Sequence, residues 1–212
     1  MEIKMINYYI EKNLNDENIK DIVDGVKGGK LIAFPTETVY GIGANGFDIE
    51  AINKLFKIKN RPFSKPISLM VSNFNMINML TKNINEIEKK IIYKFLPGPL
   101  TILLEKNDKV PDILTANSKY IGIRMPLHNT SLKIIDRAGV PFAVTSANIS
   151  GEEDCIDFEK VLSKFNKDID FFIDGGKSKI GIPSTVVKVE NGDIKILREG
   201  SISKDFILSE IS

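Results

Sequence analysis

The chain has 212 residues and a mass of 23.7 kDa, with 42% hydrophobic and 27% charged residues. This composition excludes a disordered or collagen-like chain, and the length favours one large domain over two. With 29 Lys and Arg against 28 Asp and Glu, the net charge of +1 argues against a uniformly basic nucleic-acid coat and against an acidic tail protein.

Cysteine and histidine usage bounds the chemistry further. One cysteine and one histidine exclude a disulfide scaffold and a Cys/His zinc site, and they indicate a reducing compartment. No apolar run reaches the roughly 18 residues that a membrane helix needs. The charged N-terminus Met1-Glu2-Ile3-Lys4 is unlike a signal peptide. We therefore expect a cytoplasmic protein with no membrane partner and no protein-held metal.

Hydrophobic spacing alternates between helical and extended periods along the chain. Apolar residues at helical spacing predict helices around 19–26, 49–56, 84–95, 132–135 and 158–165. Asp16 and Asp48 are the expected N-caps of the first two helices. Short apolar runs predict strands at 31–34, 67–71, 101–104, 120–125, 141–145, 171–173, 185–189 and 194–197. Asn191-Gly192 between the last two strands is a strong hairpin signal. Crossovers together with a hairpin predict an α/β domain with a mixed sheet.

One segment of the chain, residues 51–85, contains basic residues but no acidic ones. Between Ala51 and Asn85 there is no Asp or Glu, although six basic residues lie there: Lys54, Lys57, Lys59, Arg61, Lys65 and Lys82. Such a window is a local positive field suited to phosphates. Arg61 precedes a proline that favours extended backbone, so its cation is fixed on a turn. We expect this part of the window to bind an anion, although a solvated helix face has the same composition.

Polar residues follow several of the predicted strands. Thr36-Glu37-Thr38 follows one buried strand, Thr145-Ser146-Ala147-Asn148 follows another, and Arg124 ends a third. In α/β sheets the strand ends and their loops form ligand sites, and Arg124 could bind a carboxylate with two hydrogen bonds. Single residues of this kind usually cap turns, so the prediction depends on their number.

Other motifs fail on their context. The segment Gly41 to Gly46 matches GxGxxG but is separated from its strand by a polar segment and has no acid about 20 residues later, so we interpret it as a glycine turn. His128 has no evident catalytic partners, and we interpret it as a turn residue. Cys155 lies among acidic residues, which disfavours a reactive thiolate.

Eight short strings, taken together and in order, resemble the YrdC-like family. They are FPTETVYG at 34–41, KNRP at 59–62, PGPLT at 97–101, IRMP at 123–126, SANISG at 146–151, DGG at 174–176, PSTV at 183–186 and LREG at 197–200. The resemblance covers about 16–203 of the chain. It implies a single domain over 1–212, with a twisted mixed sheet flanked by helices around an open basic cavity.

The resemblance also implies an activity. Proteins of this family are L-threonylcarbamoyladenylate synthases, nucleotidyltransferases that join L-threonine, bicarbonate and ATP, with Mg²⁺ as the ATP counter-ion, into threonylcarbamoyl-AMP and pyrophosphate. A tRNA threonylcarbamoyl-transferase complex then uses the product to modify tRNAs that read codons beginning with A, and weak direct tRNA binding is a further expectation.

Site residues follow from the same strings. The implied L-threonine ligands are Thr38, Arg124, Val144 through its backbone, and Ser184. The implied ATP ligands are Arg61, Lys65, Tyr120, Ser146, Asn148, Asp154 and Arg198, with Lys59 and Arg61 as the catalytic cations. Met70 and Asp154 depart from the pattern, because some relatives have a threonine-contacting histidine at the first position and a small hydroxyl residue is common at the second.

Two alternatives remain open at this level. The basic window could seat an RNA backbone without catalysis, which predicts a steep loss of binding with salt. A carbamoyl-transfer role is the other alternative, because a YrdC-like domain also occurs in hydrogenase-maturation carbamoyltransferases, which carry zinc-finger cysteines that this chain lacks.

Overall fold

A computed structural model describes residues 7–211, so the N-terminal segment Met1 to Lys4 lies outside the described residues. The strands are β1 (Asn7–Ile10), β2 (Ile32–Phe34), β3 (Gly41–Asn45), β4 (Ser68–Met70), β5 (Leu100–Glu105), β6 (Tyr120–Arg124), β7 (Phe142–Ser146), β8 (Phe171–Asp174), β9 (Thr185–Glu190) and β10 (Asp193–Arg198). The helices are α1 (Asp16–Lys27), α2 (Ile49–Ile58), α3 (Phe74–Leu80), α4 (Glu86–Phe95), α5 (Asp112–Thr115), α6 (Asn129–Ala138), α7 (Phe158–Phe165) and α8 (Lys204–Ile211).

All of these strands join one mixed sheet, in the order β1-β8-β2-β3-β7-β4-β6-β5-β9-β10. The pairs β1/β8, β2/β8, β4/β6 and β5/β9 are parallel, and the other neighbouring pairs are antiparallel. The predicted α/β class and mixed sheet are confirmed. Helix α1 packs against α6, α2 against β3, and α4 against both β5 and α8.

Local sequence explains where several helices begin. Asp48 caps α2 as predicted, and its carboxylate accepts from the backbone N–H groups of Glu50 and Ala51. The prediction for α1 was wrong by one residue, because Asn15 is the cap. Its side chain accepts from the N–H of Asn18, whose side chain accepts from the N–H of Asn15 in return.

The glycine segment that starts at Gly41 is a strand, so its interpretation as a turn was wrong. Close approach of backbone is nevertheless the reason for these glycines: a Cβ at Gly41 would lie 2.9 Å from Val144 Cγ1, and one at Gly43 would lie 2.9 Å from a Phe34 ring carbon. The strand β3 pairs with β2 on one side and β7 on the other. It therefore lies between β2, whose following loop contains Thr38, and β7, which ends at Ser146.

Hydrophobic spacing did not predict β1, α3, α5 and α8, which are short or lie at the ends of the chain. The hairpin of β9 and β10 is present, with Asn191 and Gly192 both at positive φ in its turn. Among residues 7–211, the helices are all too short or too polar to cross a bilayer.

Candidate active site

A cavity of about 320 Å³ lies on one face of the sheet. The predicted site residues that line it are Arg61, Tyr120, Arg124, Val144, Ser146, Ser184 and Arg198. The other predicted residues, Thr38, Lys59, Lys65, Asn148 and Asp154, lie outside its lining. Residues that are 137 positions apart in the chain, Arg61 and Arg198, thus share one cavity.

The position of the cavity follows from the alternation of side chains along the strands. In β6, Ile121 and Ile123 are buried in the core, whereas Tyr120, Gly122 and Arg124 line the cavity. We expected a site at the strand ends. The last residues of β6, β7 and β10, which are Arg124, Ser146 and Arg198, do line the cavity, and Tyr120 and Gly122 add to it from the face of β6.

The end of α2 fixes the chain around Lys59 and Arg61. Asn60 has a positive φ of 49°, its N–H bonds to the carbonyl of Lys57, and the N–H of Arg61 bonds to the carbonyl of Phe56. These two bonds form a Schellman motif, which ends the helix and satisfies its last carbonyls. Lys59 and Arg61 are therefore held by the backbone geometry of a helix end.

The guanidinium of Arg61 is anchored by its own loop. Its Nε donates to the carbonyl of Lys65 at 3.0 Å and its Nη2 donates to the carbonyl of Pro66 at 2.6 Å. Burial, and then the positive charge of Arg198, lower the pKa of Arg61. Two guanidinium groups that repel each other in a cavity are stabilised by a polyanion between them, as an anion-binding site requires.

Arg198 and Ser184 form another part of the cavity lining. The Nε and Nη2 of Arg198 both donate to the carbonyl oxygen of Ser184, at 3.1 and 2.8 Å, and Nη2 also lies 3.0 Å from Ser184 Oγ. Thr101 Oγ1 lies 2.8 Å from the same hydroxyl. A Cβ at Gly200 would lie within 2.6 Å of the backbone of Pro183, Ser184 and Thr185. Glycine at this position therefore lets the two segments meet.

Arg124 is a buried cation of the cavity lining. Its Nη2 donates to Glu37 Oε1 and to Thr38 Oγ1, each at 2.8 Å. The side chains of Arg124 and Glu37 are only 7% and 6% exposed. Thr38 thus reaches the cavity through Arg124, and Glu37 is a contact that the sequence did not predict.

Lys59 lies behind the cavity wall. Its side chain is fully buried and donates to the carbonyl of Ser146 and to Asn148 Oδ1, which also accepts from Ser146 Oγ at 2.7 Å. Burial, and then the charge of Arg61, lower the pKa of Lys59 from 10.5 to about 7, against the opposing effect of Asp154. The amine is therefore partly neutral near pH 7.

Removal of this amine should change how stability depends on pH. The folded protein releases the Lys59 proton near pH 7 and the unfolded chain near 10.5. The unfolded state therefore binds more protons between these values, and the free energy of unfolding gains a contribution that rises with pH. We expect wild type to gain stability relative to Lys59→Met from pH 7 to 9, as measured by urea unfolding. Parallel pH profiles for the two proteins would contradict this expectation.

The remaining predicted positions differ in their surroundings. The side chain of Lys65 is exposed, although its carbonyl anchors Arg61. Asp154 is half-buried and raises the pKa of Arg198 and Lys59 against the effect of burial. Met70 lines the cavity and presents a thioether there.

Two other residues singled out in the sequence, Cys155 and His128, lie outside this cavity. Cys155 is buried, and burial more than neighbouring acids raises the pKa of its thiol. His128 precedes α6, where its Nδ1 lies 3.2 Å from Ser131 Oγ. Within residues 7–211 there is no group of three or more metal-ligating side chains.

Sequence reasoning missed Glu37 and Thr101 as partners of site residues. Both lie inside the strings that carry the family resemblance, at 34–41 and 97–101. A lone acid directly after a buried strand was the available signal for Glu37, because a buried carboxylate requires a cation. The contact of Thr101 with Ser184 had no local signal.

The fold and the site define an α/β protein with a cavity lined by three arginines. The family model Sua5_yciO_yrdC, described as telomere recombination, matches residues 24–200. A Pyrococcus abyssi protein named threonylcarbamoyl-AMP synthase is 36% identical over 193 residues, which are 91% of this chain and 57% of that protein. A putative threonylcarbamoyl-AMP synthase of Methanocaldococcus jannaschii is 40% identical over 203 residues, 94% of each chain.

A solved structure has the same fold as this chain. The crystal structure of Pyrococcus abyssi Sua5 complexed with L-threonine is 35% identical, with a TM-score of 0.92 over 98% of this chain and 61% of that chain. The chain therefore belongs to the Sua5/YciO/YrdC family, which confirms the resemblance found in the sequence. It spans nearly the whole of one curated relative and little more than half of another.

Proposed function

We propose that this protein is an L-threonylcarbamoyladenylate synthase, which joins L-threonine, bicarbonate and ATP into L-threonylcarbamoyl-AMP and pyrophosphate. The observation that carries the proposal is the convergence of Arg61, Arg124 and Arg198 on one cavity that also contains the hydroxyls of Ser146 and Ser184. Relatives named for this activity are 36% and 40% identical to the chain. The proposed unit is a single domain over 1–212, with its core at about 16–203.

The chemistry needs positioning and charge stabilisation more than a protein nucleophile. The neutral threonine amine attacks the carbon of bicarbonate, and loss of one water leaves a carbamate. A carbamate oxygen attacks the α-phosphorus of ATP, the bond to the bridging oxygen breaks, and pyrophosphate leaves. Such phosphoryl transfer depends on in-line geometry and on cations near the developing charge.

The residues divide between the two substrates. We assign Arg61 and Arg198 to the phosphates, Tyr120 and Ser146 to the remaining nucleotide contacts, and Arg124 to the threonine carboxylate. Ser184 would select the hydroxyl of threonine, because a site built to bind a hydroxyl rejects analogues that lack it. The remaining assignments stay with these two substrates: Thr38 and the backbone of Val144 with threonine, and Lys59, Lys65, Asn148 and Asp154 with ATP.

Lys59 would act through its hydrogen bonds to Ser146 and Asn148. Mg²⁺ would enter with ATP as part of the substrate, since it usually keeps several waters and needs few protein ligands. We further propose that the protein acts in the cytoplasm and passes its product to a tRNA threonylcarbamoyl-transferase complex.

The basic window gives little support to the RNA-binding alternative. Lys59 is buried, Arg61 lines the cavity, Lys54 Nζ donates to the carbonyl of Gly29, and Lys82 pairs with Asp108. These cations do not form a free stripe along which a phosphate backbone could lie. The synthase proposal, by contrast, uses Arg61 where it lies.

The test is incubation with radiolabelled bicarbonate, L-threonine and ATP. We expect pyrophosphate and a labelled adenylate only when all three substrates are present. Pyrophosphate release that does not depend on threonine would contradict the proposal. RNA binding without turnover, with a steep salt dependence, would support the alternative instead.

A further inference from the structure

The buried ion pair between Glu37 and Arg124 is not explained by stability alone. Both charges are desolvated, and the attraction within a buried pair often only offsets that cost. Loss of one partner, however, leaves the other charge buried without compensation. Such a pair can instead contribute by holding a functional cation in a fixed orientation.

The hydrogen bonds of Arg124 are concentrated on one nitrogen. Nη2 has two N–H groups, and they are directed to Glu37 Oε1 and Thr38 Oγ1. Nε has no partner among the described residues. The anchored Nη2 sets the plane of the guanidinium, and Arg124 lines the cavity with donors that remain for a ligand.

The loop that carries Glu37 is itself held in place. Thr36 Oγ1 donates to the carbonyl of Val39 at 2.6 Å and accepts from the N–H of Thr38. The carbonyls of Glu37 and Thr38 accept from the N–H groups of Ile180 and Gly181. Glu37 is thus a carboxylate fixed by a bonded loop.

Glu37 does not line the cavity that contains Arg124. It lies in the wall of a second cavity, with Glu11 and His128, on the far side of the loop. Any effect of Glu37 on a ligand in the first cavity must therefore pass through Arg124. This placement separates it from the residues that would touch substrate.

We propose that Glu37 is a positioning residue, which holds Nη2 of Arg124 so that the free side of the guanidinium meets the α-carboxylate of the amino-acid substrate. This inference rests on the proposed function for the identity of that substrate. Because the ion pair is already neutral, the carboxylate is recognised by correctly oriented donors rather than by net charge.

Three variants separate geometry from charge. Glu37→Gln keeps an oxygen acceptor at the same reach and loses the charge, Glu37→Asp keeps the charge but is one methylene shorter, and Glu37→Ala loses both. We expect the threonine KM to stay within about threefold of wild type in Glu37→Gln. It should rise about tenfold or more in Glu37→Asp and Glu37→Ala, the size of effect typical for a hydrogen bond to a charged group. The KM for ATP should change less than about twofold in all three.

The matched control is Glu11→Ala, because Glu11 lines the same second cavity and contacts His128 rather than Arg124. Titration calorimetry with L-threonine gives the same comparison without turnover, so that a failure of the proposed synthase activity in wild type is recognised separately. Thermal unfolding identifies variants that do not fold. If Glu37→Ala does not fold, Glu37→Gln and Glu37→Asp still test the proposal.

Three outcomes would overturn the inference. One is the reverse order of threonine KM values, with Glu37→Asp near wild type and Glu37→Gln impaired, which would show that charge alone matters. Another is a threonine KM that is unchanged in Glu37→Asp and Glu37→Ala. A threonine KM that rises together with the ATP KM, in variants whose unfolding temperature falls, would likewise overturn the inference, because it would indicate a structural role.

Discussion

Arg61→Ala is expected to lower kcat for threonine-dependent pyrophosphate release by roughly a hundredfold to a thousandfold, the usual effect of losing one donor to a developing negative charge. The reason is that Arg61 is pre-oriented. Its guanidinium is tied to the carbonyls of Lys65 and Pro66, so it would meet the phosphates without rearranging. Fixed dipoles and charges of this kind act most strongly in the transition state.

The measurement is steady-state kinetics with coupled detection of pyrophosphate, in which KM and kcat are determined separately for ATP. Arg137→Ala is the matched control, because Arg137 is a half-exposed arginine on α6 that pairs with Asp16 away from the cavity. We expect the control to retain wild-type kinetics and both variants to unfold near the wild-type temperature. Unchanged turnover in Arg61→Ala would remove Arg61 from the site.

Replacement of Arg124 should affect both substrate use and stability. Arg124→Met is expected to raise the threonine KM by about tenfold to a hundredfold, as for loss of a charge-assisted hydrogen bond worth about 1.5–3 kcal/mol. It should also destabilise the fold by about 3–5 kcal/mol, because Glu37 becomes a buried charge without a partner. Kinetics and urea unfolding measure the two effects independently.

A double variant separates the two effects of Arg124→Met. Addition of Glu37→Gln removes the unpaired charge, so Arg124→Met/Glu37→Gln should regain much of the lost stability. It should not regain threonine use, because the guanidinium is still absent. If the double variant recovered the threonine KM, Arg124 would not bind the carboxylate. If stability stayed low, the ion pair would not explain the loss in the single variant.

The helix ends and the last hairpin could be predicted because their causes are local. Asp48 begins α2 through bonds to residues two and three positions later, and Asn191-Gly192 supplies the positive φ values of a tight turn. The cap of α1 was misplaced by one residue because Asn15 and Asp16 are both favourable caps. Strand β3 was missed because its small residues carry little hydrophobic signal.

The site was predicted more completely as a set of residues than as a geometry. Arg61, Arg124, Ser184 and Arg198 share the cavity that the ordered strings implied. Lys59, which we assign to ATP, is buried behind Ser146. This burial could not be predicted, because hydropathy gives no sign that a lysine will be enclosed. The cavity combines strand-end residues, such as Arg124 and Ser146, with residues on the face of the sheet, such as Gly122.

By itself the sequence determined the family, the α/β class and the residue types available for binding an anion and a carboxylate, since these depend on ordered strings and local spacing. The tertiary structure alone decided that Glu37 pairs with Arg124, 87 positions away, and that Thr101 contacts Ser184. Such contacts depend on strand order in the sheet and on which face each side chain occupies. Neither the strand order nor the face of a side chain can be read from the residues next to it in the sequence.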